Sequence, residues 1–252
     1  LRRPAPALDI VTHDAVDHSG RRRTDDPRVG MVGGSYGGGI QFATAAVDPR
    51  LDTIVPQITW NDLSYSLAPN STSTFSGVST RVSGSAKIIY AAGLFADGVA
   101  NPGRAGYQAD PTRVTPCPNF TPQQCATFAE GATVGQFSPA SVANLRRVSV
   151  SSYIDRIRIP VLLEQGQRDT LFDLNEAVAT YQALRARGVD TSMIWQQWGH
   201  SGGPAPGEYD KNSPDRTTQY EVGRTLDWLD KHLKGLDVDT GPAFAYFRNW
   251  VP

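Results

Sequence analysis

Apolar and polar positions along the chain fall into two regimes. In the first regime, short apolar runs alternate with amphipathic stretches. Val29 to Val32 is a brief buried-strand run, followed by an alanine-rich helical pattern from Ile40 to Val47. Asp48-Pro49-Arg50 marks a turn, and Leu51 to Thr59 reads as the next buried strand, ending at Trp60-Asn61-Asp62. The alternation resumes with a strand over Ile159 to Gln165, closed by Gly166, and a helix from Asn175 to Arg187. That helix carries Ala177, Val178, Tyr181 and Leu184 on one face, and Gly188 supplies its stop. Thr191 to Trp198 predicts another strand. Thr217 to Leu233 predicts a last helix with Val222, Leu226, Leu229 and Leu233 on its apolar face, ended by Lys234-Gly235. Strands alternating with helices in this way predict an α/β fold with a mostly parallel sheet.

The second regime runs from Ser64 to about Arg147. Ser, Thr, Gly, Pro and Asn are dense there, and apolar stretches at Ala86 to Phe95, Gln123 to Phe128 and Val142 to Leu145 predict short helices between loops. A segment this long is unusual as a mere connection. It predicts an inserted helical cap over 64–150, with the sheet core formed by 1–63 and 151–252. Before residue 28 the pattern is ambiguous: Leu8, Val11 and Ala15 make a helical stripe, whereas Leu8, Ile10 and Thr12 suit a strand. A helix beside the Val29–Val32 strand is the expectation. No internal repeat is present.

Composition narrows the function classes. The chain has 252 residues, 39% of them apolar, and a formal net charge of −1. Arginines are scattered apart from Arg21-Arg22-Arg23, and the lysines are Lys87, Lys211, Lys231 and Lys234, so no nucleic-acid partner is expected. No apolar run reaches the length of a membrane span, and no membrane association is expected. Leu1-Arg2-Arg3-Pro4 lacks the apolar core of a signal peptide, so any targeting segment is expected outside these residues. Cys117 and Cys125 lie close together in a loop-like segment without a nearby histidine, which is too few ligands for a structural zinc site. A disulfide between them is expected, and it favours an exported protein over a cytoplasmic one. No cofactor and no metal are called for.

The chemistry-bearing stretch is Gly33-Gly34-Ser35-Tyr36-Gly37-Gly38-Gly39, between the strand and the helix that follows. Gly33-x-Ser35-x-Gly37 across such a turn is the nucleophile-elbow pattern, in which the serine adopts a strained backbone angle that lifts its hydroxyl off the sheet. Gly33 and Gly37 are expected to be glycine because neighbouring backbone leaves no room for a Cβ. A phosphate-cradling P-loop would need Gly-Lys-Ser/Thr, and no lysine is near. The dinucleotide pattern needs glycines in a register that Gly30 to Gly39 does not supply.

A serine nucleophile needs a base, and the base needs an orienting carboxylate. In parallel α/β sheets, functional groups gather at the carboxyl ends of strands. Three such loops occur in the order Ser35, Asp169, His200, the chain order of α/β-hydrolases. His13 and His18 precede the elbow in a polar stretch and are expected to face solvent. His232 ends a helix, where a cation interacts well with the dipole. Asp173 reads as a helix N-cap rather than the acid. The Tyr36 amide is the expected first oxyanion donor, while the second has no candidate. Trp60 and Tyr65 are expected near the cap entrance as substrate-binding residues, or else as plain core.

The run Asp26 to Gly38, Ile54-Val55-Pro56-Gln57 and Trp60-Asn61-Asp62-Leu63 resembles the Xaa-Pro dipeptidyl-peptidase/cocaine-esterase family of serine hydrolases, peptidase family S15. So do Gln165-Gly166-x-x-Asp169-Thr170-Leu171-Phe172, Gly199-His200-Ser201, and the tail from Gly241-Pro242 through Tyr246-Phe247-Arg248-Asn249-Trp250. The resemblance implies an α/β-hydrolase sheet with a helical cap that lacks the N-terminal strands, and an acyl-enzyme route on an ester or short peptide substrate. It also implies an early-loop tyrosine as second oxyanion donor, to which no residue here can be matched. The chain is thus expected to be the central part of a longer hydrolase with an exposed sheet edge, unstable alone or in need of a partner, homo-oligomerisation being open. A catalytically inactive scaffold is the alternative function, and a nucleotide-binding domain is a third reading.

Overall fold

A computed structural model describes residues 9–16, 22–69, 83–100, 117 and 120–248. The N-terminal Leu1-Arg2-Arg3-Pro4, His18, Arg21 and Asn249-Trp250 lie outside the described residues, as does the side chain of His13. The chain divides into two units, one of Leu1–Asn61 with Val150–Pro252, the other of Asp62–Ser149.

The first unit is built on a sheet of order β1-β2-β3-β4-β5-β6. Its strands are β1 (Asp9–Val16), β2 (Arg22–Gly34), β3 (Leu51–Gln57), β4 (Val161–Gly166), β5 (Thr191–Gln196) and β6 (Phe244–Tyr246). β2 through β6 are mutually parallel, and β1 pairs antiparallel with β2. The segment expected as a helix before residue 28 is therefore a strand. Its Ile10, Val11, Thr12 and Val16 are β-branched, and pairing Asp9 with Val32 through Val16 with Arg22 completes backbone bonds that β2 would otherwise leave open. β1, not β2, is the outer strand on that side, so the edge beside β2 is covered. β2 is longer than the apolar run suggests because this pairing extends back to Arg22.

Successive residues of a strand point to opposite faces, and the apolar residues sort accordingly. Met31, Ile54, Val161, Leu163 and Met193 meet Phe42 of α1 (Tyr36–Ala45) and Ala177 and Leu184 of α6 (Leu174–Arg185). Val55, Leu162 and Ile194 meet Trp228, Leu229 and Leu233 of α7 (Tyr220–Lys234). Burial from both sides explains why β4 reads as a continuous buried run. Asp173 caps α6, its carboxylate accepting from Asn175 N at 3.0 Å, as the sequence suggests. His232 departs from its expected role. It is tucked beside Trp228, with ring centroids 4.4 Å apart, and burial pushes its pKa down, which works against a cation at that helix end.

The second unit is helical: α2 (Leu63–Leu67), α3 (Ile88–Ala100), α4 (Pro122–Val134) and α5 (Pro139–Arg147). α4 and α5 each start with a hydroxyl N-cap followed by proline at the first helical position, Thr121-Pro122 and Ser138-Pro139. Phe95 stacks on Phe128 at 3.9 Å between centroids, joining α3 to α4. Asp62 caps α2 through Ser64 N at 2.9 Å and pairs with Arg146 of α5 at 3.0 Å. Cys117 and Cys125 are joined as a disulfide. No helix among the described residues is long and apolar enough to cross a membrane.

Candidate active site

Ser35 sits between β2 and α1 at φ 56°, ψ −121°, a left-handed angle that L-residues rarely adopt. What holds it there is local. Its amide donates to Gln57 O of β3 at 2.9 Å, and its carbonyl accepts from Gly38 N and Gly39 N at 2.9 and 3.1 Å, opening the helix. Gln41, fully buried in α1, donates to Gly33 O at 3.0 Å and Gly37 O at 2.9 Å. The same side chain accepts from Val55 N at 3.0 Å, so one amide pins both sides of the turn to β3. Sequence reasoning missed Gln41; a glutamine within an alanine-rich apolar helix was the available signal.

The steric reason expected for Gly33 and Gly37 does not hold. A Cβ on Gly37 would meet nothing within 4 Å, and one on Gly33 would make only ordinary contact, with Gln41 Nε2 at 3.4 Å. The crowded positions are the next two. A Cβ on Gly38 would lie 2.7 Å from Thr59 Cβ, and one on Gly39 would lie 2.4 Å from the Trp60 ring. Close approach of α1 to the chain leaving β3 sets the glycine requirement.

Asp169 and His200 come from the loops after β4 and β5. Asp169 Oδ1 accepts from Leu171 N and Phe172 N, each at 2.9 Å. Its Oδ2 accepts from His200 N at 3.2 Å and lies 2.7 Å from His200 Nδ1. His200 Nε2 lies 2.7 Å from Ser35 Oγ. The carboxylate side chain is fully buried and the imidazole is 18% exposed. Tight loop packing makes this possible: a Cβ on Gly199 would sit 2.7 Å from Asp169 Cβ, so only glycine lets the chain pass. Thr170 and Ser201 close the seam between the loops, their hydroxyls 2.5 Å apart.

Tyr36 is the first residue of α1 and directly follows Ser35, so its amide has no intrahelical acceptor. Its ring is 73% exposed and backed by Trp60 at 6.3 Å between centroids. Trp60 is buried against Phe172 at 5.4 Å, and Phe172 meets His200 edge-on at 5.1 Å. Tyr65 is buried in α2 of the second unit. Chemically, an imidazole held in this way can take the hydroxyl proton while the carboxylate fixes its tautomer and steadies the imidazolium. Among the described residues no cluster of His, Cys, Asp or Glu could hold a metal ion.

Residues 13–202 match the family described as X-Pro dipeptidyl-peptidase (S15 family). No curated protein matches the chain. Among solved structures, an acylaminoacyl peptidase of Pyrococcus horikoshii is similar at 15% identity and TM-score 0.45, covering 83% of this chain and 25% of that one. A puromycin-hydrolyzing peptidase of Mycobacterium tuberculosis gives 16% identity and TM-score 0.44, covering 81% of this chain and 22% of that one. An esterase of Pyrococcus furiosus gives 14% and 0.40, covering 82% and 54%. The chain thus spans about a quarter of the length of the two peptidases.

Proposed function

Because the chain belongs to the X-Pro dipeptidyl-peptidase (S15) family, with an α/β-hydrolase type of fold, we propose that it is a serine hydrolase cleaving an ester or amide bond. The observation that supports this most is the unbroken line from Ser35 Oγ to His200 Nε2 and from His200 Nδ1 to Asp169 Oδ2, 2.7 Å at each step. In the reaction, Ser35 Oγ bonds to the substrate carbonyl carbon as its proton passes to His200 Nε2. Asp169, locked by four hydrogen bonds, steadies the imidazolium so formed. The oxyanion faces the Tyr36 amide. The bond to the leaving alcohol or amine then breaks as His200 returns the proton to it. Water, deprotonated by His200, attacks the acyl carbon; the bond to Ser35 Oγ then breaks as His200 returns the proton to that oxygen, and the acid leaves. The exposed Tyr36 ring, backed by Trp60, lines the approach to Ser35.

A fluorophosphonate probe tests the assignment. Labelling is expected in wild type and in Ser64→Ala, whose hydroxyl is bonded to Asp62 at 2.6 Å, but not in Ser35→Ala. Equal labelling of both variants would remove Ser35 from the role. Turnover of p-nitrophenyl acetate against an Ala-Pro anilide then separates the acyl-esterase type from the dipeptidyl-peptidase type. A folded protein that turns over neither substrate would instead be a scaffold.

A further inference from the structure

Behind the elbow and the base loop, on the α7 side of the sheet, two carboxyl groups are buried together. Glu164 of β4 is 1% exposed, and Glu221 of the first turn of α7 is 2% exposed. Both Glu164 oxygens accept, Oε1 from Thr225 Oγ1 at 2.7 Å and Oε2 from Gln57 Nε2 at 2.5 Å. Glu221 Oε2 accepts from Trp198 Nε1 at 2.7 Å, while its Oε1 is buried with no donor. Thr225, which donates to Glu164, stands one helical turn after Glu221, so the two carboxyls face the same buried space. Two ionised carboxylates cannot share so dry a site, and an orphan acceptor there is costly. One proton on Glu221 Oε1, donated to Glu164, satisfies both demands.

The surroundings agree. Burial raises the pKa of both groups, and the charge of Glu164 raises Glu221 further. Arg224 of α7 pulls Glu164 back down, while Glu208 of the loop after β5 adds to the rise at Glu221. Arg224 donates to Tyr220 Oη at 2.6 Å and Pro242 O at 2.9 Å, and its buried Nε reaches neither carboxyl, so it does not replace the proton. Glu208 holds the amides of Gln197 and Ala205.

The pair is tied to both halves of the site. Gln57, whose side chain reaches Glu164, uses its carbonyl to hold the Ser35 amide at 2.9 Å. Trp198, whose indole reaches Glu221, stands just before Gly199-His200, and its carbonyl presses on Gly166, where a Cβ would lie 2.1 Å away. We propose that Glu164 and Glu221 are positioning residues sharing a single proton, and that this proton keeps the Ser35 turn and the His200 loop in register. The inference rests on the hydrolase reading above.

The test uses Glu221→Gln and Glu164→Gln. Glutamine at 221 offers Oε1 to Trp198 and an N–H to Glu164, reproducing the protonated pair without a titratable proton. Glutamine at 164 cannot accept from both Thr225 and Gln57, and it leaves Glu221 ionised. Fluorophosphonate labelling rate and melting temperature are measured from pH ~5 to ~10, a span that brackets a raised carboxyl pKa. A folded-state pKa above the unfolded one contributes stability that is full below the ordinary carboxylate value and lost as pH climbs through the raised value. Wild type should therefore lose both labelling rate and melting temperature on the alkaline side. Glu221→Gln should label within about twofold of wild type at neutral pH and lack the alkaline fall, whereas Glu164→Gln should label about tenfold more slowly throughout. Identical pH profiles in wild type and Glu221→Gln, with normal labelling, would overturn the shared proton alone. A wild type that does not label at any pH would overturn the hydrolase reading, and the positioning role with it.

Discussion

Under α1 and α6 the sheet presents Met31, Ile54, Val161, Leu163 and Met193; under α7 it presents Val55, Leu162 and Ile194 and then, at the strand ends, Gln57, Glu164 and Gln196. Glu164 and Gln196 are as deeply buried as the apolar residues before them. The apolar face needs only volume, and neighbouring side chains of similar size could supply it. On the polar face Gln57 and Glu164 are matched atom by atom, although Gln196 bonds through neither side-chain atom. The hydrogen bonds there reach the strand and loop that carry Ser35 and His200. One side of the sheet thus supplies stability that ignores pH. The other converts stability into alignment and makes it depend on protonation.

Substitutions can break or sharpen this contrast. The largest effect is expected from Phe42→Ala on the apolar face. It removes a fully buried ring and should cost about 3–5 kcal/mol in denaturant unfolding, by the same amount at each pH. Arg224→Met on the polar face should cost about 2–3 kcal/mol, because a buried charged donor to Tyr220 and Pro242 is lost. Its cost should be larger at pH 8 than at pH 5, since Arg224 favours the ionised form of Glu164. A pH-independent cost would put the two faces on the same footing. Thr53→Val is smaller, about 1–2 kcal/mol, and comes from stranding buried Trp228 Nε1, which now donates to Thr53 Oγ1 at 2.8 Å, while Pro160 O keeps the Ile54 amide at 3.2 Å. Smallest is Gly37→Ala, in helical backbone with open space at its Cβ. It should stabilise by about 0.5 kcal/mol in thermal unfolding, while Gly38→Ala, facing Thr59, should destabilise.

The strand–turn–helix at Ser35, and the capping role of Asp173, were legible because short-range chemistry decides them: a turn needs particular residues, and a helix start needs an oxygen. The core strands and main helices were legible for a related reason, since burial on both sheet faces leaves unbroken apolar runs. Where the decision lay with distant partners, the pattern misled. Ile10, Val11 and Thr12 suit helix or strand alone, and the pairing with β2 chooses strand. β6 spans only Phe244–Tyr246 and exists by pairing with β5, so no periodicity could announce it. The glycine pattern found the elbow but misassigned the crowding, because Thr59 and Trp60, lying beyond the next strand, fill the space at Gly38 and Gly39. Glu164 in the middle of an apolar strand was a visible anomaly, but its explanation lies on α7, far along the chain.

The turn from Asp169 to Phe172 supplies the carboxylate, the amides that bind it and the ring that meets the imidazole edge-on. A longer segment grafted there would detach acid and wall in one stroke. The exposed stretch from Lys211 to Pro214 carries no such double duty, so changes of loop length should be tolerated there and not in the turn.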